Sequence, residues 1–221
     1  MQSFLEKLAK TPAVSSRASA GRLIFALDAT ASREPTWIKA QALQREMFDV
    51  AGSLGGLELQ LCYYYGFDEF HTTAWLTSAA ELKIEMGAVS CASGYTQIGR
   101  VLTHAQLESR RGKVAALVFI GDCMEEDGAH LITIAGDLGL IGVRAFLFQE
   151  GDDPTAAQVF RQIAMLTGGA YHRFDAGSAD QLRRLLGAVA AFAAGGVQAL
   201  DAYSLKHGDA VQQLTHQVKR T

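Results

Sequence analysis

The stretch LIFALDATASRE, residues 23–34, decides the fold. Its first five residues are apolar at every position, and the run stops at Asp28. A short apolar run without alternation suits a strand buried on both faces of a parallel sheet. Val114 to Ile120 is a second such run and ends in Gly121-Asp122; Gly142 to Phe148, interrupted by Arg144, is a third apolar stretch and ends in Gln149. Leu57 to Tyr65 reads as another strand, with Leu59, Leu61 and Tyr63 alternating against Glu58, Gln60 and Cys62. His71 to Leu76 reads as a short, more polar edge strand, and Ala170 to Phe174 as the last one.

Helical spacing fills the gaps. Trp37, Ala40, Leu43 and Met47 share one side of a helix over Trp37 to Val50. Ile98, Val101, Leu102 and Ala105 mark the next, and Leu131, Ile134 and Leu138 another. Val159, Ile163 and Leu166 mark one that stops at Gly168-Gly169. Ser178 is placed to cap a helix through Leu182, Leu185 and Leu186.

Strands and helices that alternate predict an α/β fold: a doubly wound, mostly parallel central sheet with helices on both faces and one short antiparallel edge strand. In such sheets ligands gather beyond the carboxyl ends of the strands, where Asp28 and Asp122 stand. Gly195-Gly196 is the natural boundary. It divides the chain into an N-terminal segment 1–20, a domain 21–194 and a C-terminal helical extension 195–221, in which Val211, Leu214 and Val218 have helical spacing.

Composition narrows the function. With 221 residues, 49% hydrophobic and 19% charged, the chain can build one sizeable core. A net charge of -3 and no basic stripe argue against nucleic acid as a partner. Cys62, Cys91 and Cys123 are too few and too scattered for a disulfide framework, which fits a reducing compartment. The opening MQSFLEKLAKTP lacks the apolar core of a secretory signal, and Leu185 to Leu200 falls short of a membrane span. The expected location is cytoplasmic, with no membrane partner.

Asp28, Thr30 and Ser32 alternate through the turn after the first strand, so an extended loop can aim all three oxygens at one point. One carboxylate and two hydroxyls suit Mg2+, Mn2+ or Ca2+ far better than zinc or copper. The same residues also commonly end a strand and cap a helix, and the trio alone does not choose between these roles. Thr96, in SGYTQIGRVL, sits near the start of a helix, and Asp122 tips the second apolar strand. Glu125, Glu126 and Asp127 follow it and suit the N-terminus of the next helix. No HExxH, GxSxG or phosphate-loop pattern is present. Trp37 and Trp75 read as packing residues.

The order DATAS, then a Gly-Tyr-Thr loop, then strand-Gly-Asp resembles the metal-ion-dependent adhesion site of von Willebrand factor A domains. The resemblance runs over roughly Gly21 to Phe192. It assigns Asp28, Thr30, Ser32, Thr96 and Asp122 to the five metal positions, with Thr30 where that family usually has Ser. It implies a non-enzymatic module that holds Mg2+, with Mn2+ or Ca2+ as substitutes, and captures an Asp or Glu of a protein partner. Tyr95 flanks Thr96 and is the candidate partner contact. The resemblance also points to a place in a larger machine such as a chaperone or ATPase assembly, where intracellular relatives of this fold are often found. Two other readings stand beside it. One is a Mg2+-dependent phosphoryl-transfer enzyme of haloacid-dehalogenase type, with Asp28 as nucleophile and Thr30, Lys113 and Asp122 around it; the other is a metal-free scaffold that binds through its C-terminal helix.

Overall fold

The computed structural model describes residues 20–175 and 178–219, so the expected N-terminal segment lies almost wholly outside the described residues. Six strands form one sheet: β1 (Gly21–Asp28), β2 (Leu57–Tyr65), β3 (Glu69–Thr72), β4 (Ala116–Gly121), β5 (Arg144–Glu150) and β6 (Ala170–Phe174). Their order is β3-β2-β1-β4-β5-β6, and every pairing is parallel except that of β3 with β2. The helices are α1 (Glu34–Gly52), α2 (Ala79–Gly87), α3 (Ile98–Arg111), α4 (Gly128–Leu140), α5 (Pro154–Thr167), α6 (Ala179–His207) and α7 (Asp209–Lys219). The expected doubly wound class, with its antiparallel edge strand, is what the chain adopts.

Period-two geometry splits the central strands between two cores. Leu23, Phe25 and Leu27 of β1 face one core, with side chains from α1, α2, α6 and α7. Ile24 and Ala26 face the other, built from α3, α4 and α5. The expected alternation in β2 is not borne out, because Gln60, Cys62 and Tyr64 are as buried as Leu59 and Leu61. A strand between two neighbours and under two helical layers has no solvent face. The edge strand is also shorter than expected: β3 ends at Thr72, and Leu76 returns to β2 as a single antiparallel bridge to Leu59.

Helix ends follow their residues. Gly168 ends α5 in the left-handed region, at φ 66°, as the Gly168-Gly169 signal predicts. Helix α2 was not foreseen from periodicity, yet its start is a full capping box: Ser78 accepts the Glu81 N–H while the Glu81 carboxylate accepts the Ser78 N–H. Ser178 holds the cap position of α6 without a side-chain hydrogen bond.

The C-terminal part is bound into the domain. Leu200, Val211, Leu214 and Val218 are buried in the same core as β1, and Arg144 of β5 donates to the Val218 carbonyl at 3.0 Å. Leu185 to Leu200 belongs to the 29-residue α6, which by length and composition alone could cross a membrane, contrary to expectation. In the fold, 56% of its most apolar window is buried and Gly196, at φ 67°, kinks it. Truncating the fully buried Leu214 to Ala leaves a cavity between α7 and the sheet. Leu214→Ala is expected to cost about 2–5 kcal/mol in urea unfolding; a loss below about 1 kcal/mol would mean α7 is a detachable appendage.

Candidate metal centre

Asp28 is the last residue of β1, and Asp122 follows the last residue of β4. The two strands are parallel neighbours with Leu27 opposite Ile120, so both acids leave the sheet side by side. Here the strand order also reverses: the chain runs outward from β1 to β2 and β3, then returns through α3 to enter β4 on the other side. Such a switch point opens a crevice at the carboxyl edge of the sheet.

A chain of oxygens crosses that crevice. Asp28 Oδ1 accepts the Thr30 N–H at 2.7 Å, Thr30 Oγ1 lies 3.4 Å from Ser32 Oγ, and Ser32 Oγ donates to Asp122 Oδ2 at 3.3 Å. The loop bearing Thr96 is tied alongside, because the Ala92 N–H donates to the Ala29 carbonyl at 3.1 Å. Thr96 is clamped to the Asp122 loop instead of to the oxygens: its N–H donates to Glu125 Oε2, and its Oγ1 accepts the Glu125 N–H, both at 3.0 Å. The structure thus links Asp28, Thr30, Ser32 and Asp122 directly, and reaches Thr96 through Glu125.

The ordinary capping roles of these residues fall away. Thr30 precedes a 3-10 turn (Ala31–Arg33) and makes no side-chain cap bond, and the cap position of α1 belongs to Arg33. Gln97, not Thr96, holds the cap position of α3, also without a side-chain bond. Glu126 does that work from across the loop, accepting the N–H groups of Ile98 and Gly99. The three acids after Asp122 are therefore divided: Glu125 holds Thr96, Glu126 caps α3, and Asp127 alone caps α4.

Charge makes the crevice expectant. Asp28 is 2% exposed, and burial, with the nearby Asp122 charge adding to it, pushes its carboxyl above the usual carboxylate range despite the Thr30 hydrogen bond. Burial and the adjacent Asp122 push the Cys123 thiol up to about 12. Asp28 Oδ2 and Asp122 Oδ1 are both buried and have no hydrogen-bond partner. Unpartnered buried carboxylate oxygens are costly, and a cation lying between these two would satisfy both. Among the described residues no three His, Cys, Asp or Glu cluster, so the side-chain oxygens that stand beside the two aspartates are those of hydroxyls. That donor set fits a hard divalent cation.

Sequence reading passed over Arg33, Glu150 and Phe67. Arg33 is buried and pairs with Asp122 at 3.3 Å and with Glu150, which Thr36 also contacts. Phe67 and Tyr95 are 76% and 56% exposed, and their rings meet edge to face at 5.3 Å. Gly94 permits this, since a Cβ there would strike the Gly66 backbone, to whose carbonyl the Tyr95 N–H donates at 2.9 Å. Lys113, expected near Asp28 in the phosphoryl-transfer reading, lies instead at the opposite end of the sheet, lining a cavity with Gly21, Arg22 and Ala115.

No protein-family model and no curated protein sequence matches the chain. Solved structures do. A von Willebrand factor type A protein from Catenulispora acidiphila is 18% identical, with a TM-score of 0.64 over 78% of this chain and 43% of that one. The SpRpn10 VWA domain is 11% identical, with a TM-score of 0.56 over 77% of this chain and 95% of the domain. The chain has a von Willebrand factor A fold. Proximal thread matrix protein 1 from the mussel byssus, in a form with a zinc-occupied MIDAS motif, is 15% identical with a TM-score of 0.59. That match covers 79% of this chain and 46% of the mussel protein, so here, as with the Catenulispora protein, the chain spans less than half of its counterpart.

Within this von Willebrand factor A fold, the raised carboxyl of Asp28 has a consequence for stability. Its native carboxyl keeps a proton to higher pH than the unfolded chain does, so this contribution is present at low pH and is lost as pH rises from the ordinary carboxylate value through the native one. In chelator near pH 7, Asp28→Asn is therefore expected to melt above the parent, with the gap closing towards about pH 4. A lower melting point at both pH values would show that the buried charge is not a burden on the metal-free fold.

Proposed function

We propose that the carboxyl edge of the sheet holds one divalent cation, most suitably Mg2+, and presents it to a carboxylate of a protein partner. The observation that carries this reading is the pair of buried, unpartnered oxygens, Asp28 Oδ2 and Asp122 Oδ1, beside hydroxyls that cap nothing. Asp28 and Asp122 supply the charge. Thr30, Ser32 and Thr96 supply neutral oxygens; Thr96 Oγ1 keeps one lone pair after accepting from Glu125. A bound Mg2+ contributes a Lewis-acidic position that an outside oxygen can fill. The extra methyl of Thr30 is accommodated, since Thr30 is 8% exposed and still contacts Ser32 through Oγ1.

Around this centre the chain's own residues shape selectivity. Tyr95 and Phe67 form an exposed aromatic pair next to the Thr96 loop, suited to an apolar side chain neighbouring the partner's acid. Glu125 repels further negative charge, favouring a lone carboxylate over an acidic run. The zinc-occupied motif of the mussel protein supports the metal assignment by likeness of fold. We further place the chain in the cytoplasm, where its three free thiols are stable.

Two measurements test this reading. Titration with Mn2+ is expected to show one site, and Asp122→Ala is expected to abolish it without unfolding the chain. Partner capture from cell extract is expected with Mg2+ and lost with EDTA or Asp122→Ala. Capture indifferent to both would overturn the proposal. Mg2+-dependent hydrolysis of a generic phosphate ester, abolished by Asp28→Asn, would replace it with phosphoryl transfer.

A further inference from the structure

We propose that Arg33 is the positioning residue of the cation site: its guanidinium turns Asp122 so that one oxygen faces the crevice, and it trims the charge there to that of one divalent ion. The inference rests on the cation reading above.

The geometry is specific. Arg33 follows Ser32 directly, so the loop that delivers two candidate ligands also delivers the cation that orders a third. Its side chain is 5% exposed. One nitrogen, Nη1, pairs with Asp122 Oδ2 at 3.3 Å, and the other, Nη2, pairs with Glu150 at the end of β5. Ser32 Oγ donates to the same Asp122 Oδ2. Both partners thus engage one oxygen of Asp122 and leave Oδ1 buried and unpartnered. Asp28 is arranged alike, with Oδ1 taken by the Thr30 N–H and Oδ2 free. Each aspartate is thereby left with one free oxygen.

The charges agree with the geometry. Ionised around a bound cation, Asp28, Asp122 and Glu150 would bring three negative charges and Arg33 would remove one, leaving two for a divalent ion to neutralise. Glu125 and Glu126 stand outside this group, engaged by the backbone N–H groups of Thr96, Ile98 and Gly99. A planar guanidinium can serve two carboxylates at once through separate nitrogens, whereas a lysine ammonium is a single point charge. Residues that orient metal ligands in this way typically change affinity when replaced, with no direct contact to the ion.

The test compares Mn2+ affinity, by calorimetry and electron paramagnetic resonance, with melting in EDTA. The wild type is set against Arg33→Lys and against the double variant Arg33→Met/Glu150→Gln. Arg33→Lys keeps the charge but loses the two-nitrogen reach. The double variant removes the Arg33–Glu150 pair together, keeps the net charge of the crevice and leaves Asp122 with Ser32 as its partner; if it fails to fold, Arg33→Lys still decides the matter. Both are expected to bind Mn2+ about 10–100-fold more weakly while folded, with a broadened resonance spectrum. Folded variants that bind as the wild type does would make Arg33 a structural ion pair only. Tighter binding would show that the guanidinium competes with the metal, which also overturns the proposal. A wild-type chain that takes up no Mn2+ is a different result, and it overturns the cation site itself.

Discussion

The parallel pairing of β1 with β4 sets two acidic strand ends against each other, Asp28 buried and Asp122 only partly exposed. Everything else at that edge answers to this constraint. Sheet register leaves Asp28 and Asp122 no freedom to separate, because Leu27 and Ile120 are fixed opposite each other under two layers of apolar side chains. Burial, with the Asp122 charge adding to it, raises the preference of Asp28 for the neutral form. The fold meets the problem from one side with Arg33, which it buries against Asp122 and Glu150. On the other side it leaves two oxygens without partners. A cation at that point would turn an electrostatic burden into a binding site.

The surrounding loops are held by bonds that run across the crevice, so the oxygens are ordered before any ligand arrives. Glu125 and Glu126, on the loop after β4, hold the start of α3, while the Ala92 N–H fastens the preceding segment to β1. Gly94 lets that segment lie directly on the β2–β3 turn. Preorganisation of this kind lowers the entropy lost on binding. It also gives the Phe67 and Tyr95 pair a fixed place beside the centre, despite the exposure of both rings.

Much of this was legible in the chain itself. Unbroken apolar runs ending in Asp28 and Gly121-Asp122 named the central strands, and their acidic ends named the edge where chemistry is possible. The Gly168-Gly169 stop was equally plain. Other features were hidden for physical reasons. The apparent alternation of β2 misled because Gln60 and Cys62 are buried polar residues, with Gln60 finding partners in the Thr73 carbonyl and His104. Helix α2 is short, with apolar residues that mark no clear single face, but it announces itself through Ser78 and Glu81, a capping signal more telling than its periodicity. Arg33 and Glu150 are 117 residues apart and ordinary in composition, so their pairing is a product of topology alone. The acids after Asp122 looked like decoration for α4, yet two of the three serve the loop and helix beside it, a division that depends on how the loops meet in space.

The central claim is that Asp28 and Asp122 share one cation. Anomalous diffraction from a crystal soaked in Mn2+ tests it most directly. The account predicts a single strong peak between Asp28 Oδ2 and Asp122 Oδ1, at ordinary oxygen-coordination distances, with at least one position filled by water or a neighbouring carboxylate. A crevice with no peak at saturating Mn2+, or a peak bound to only one of the two aspartates, would contradict it.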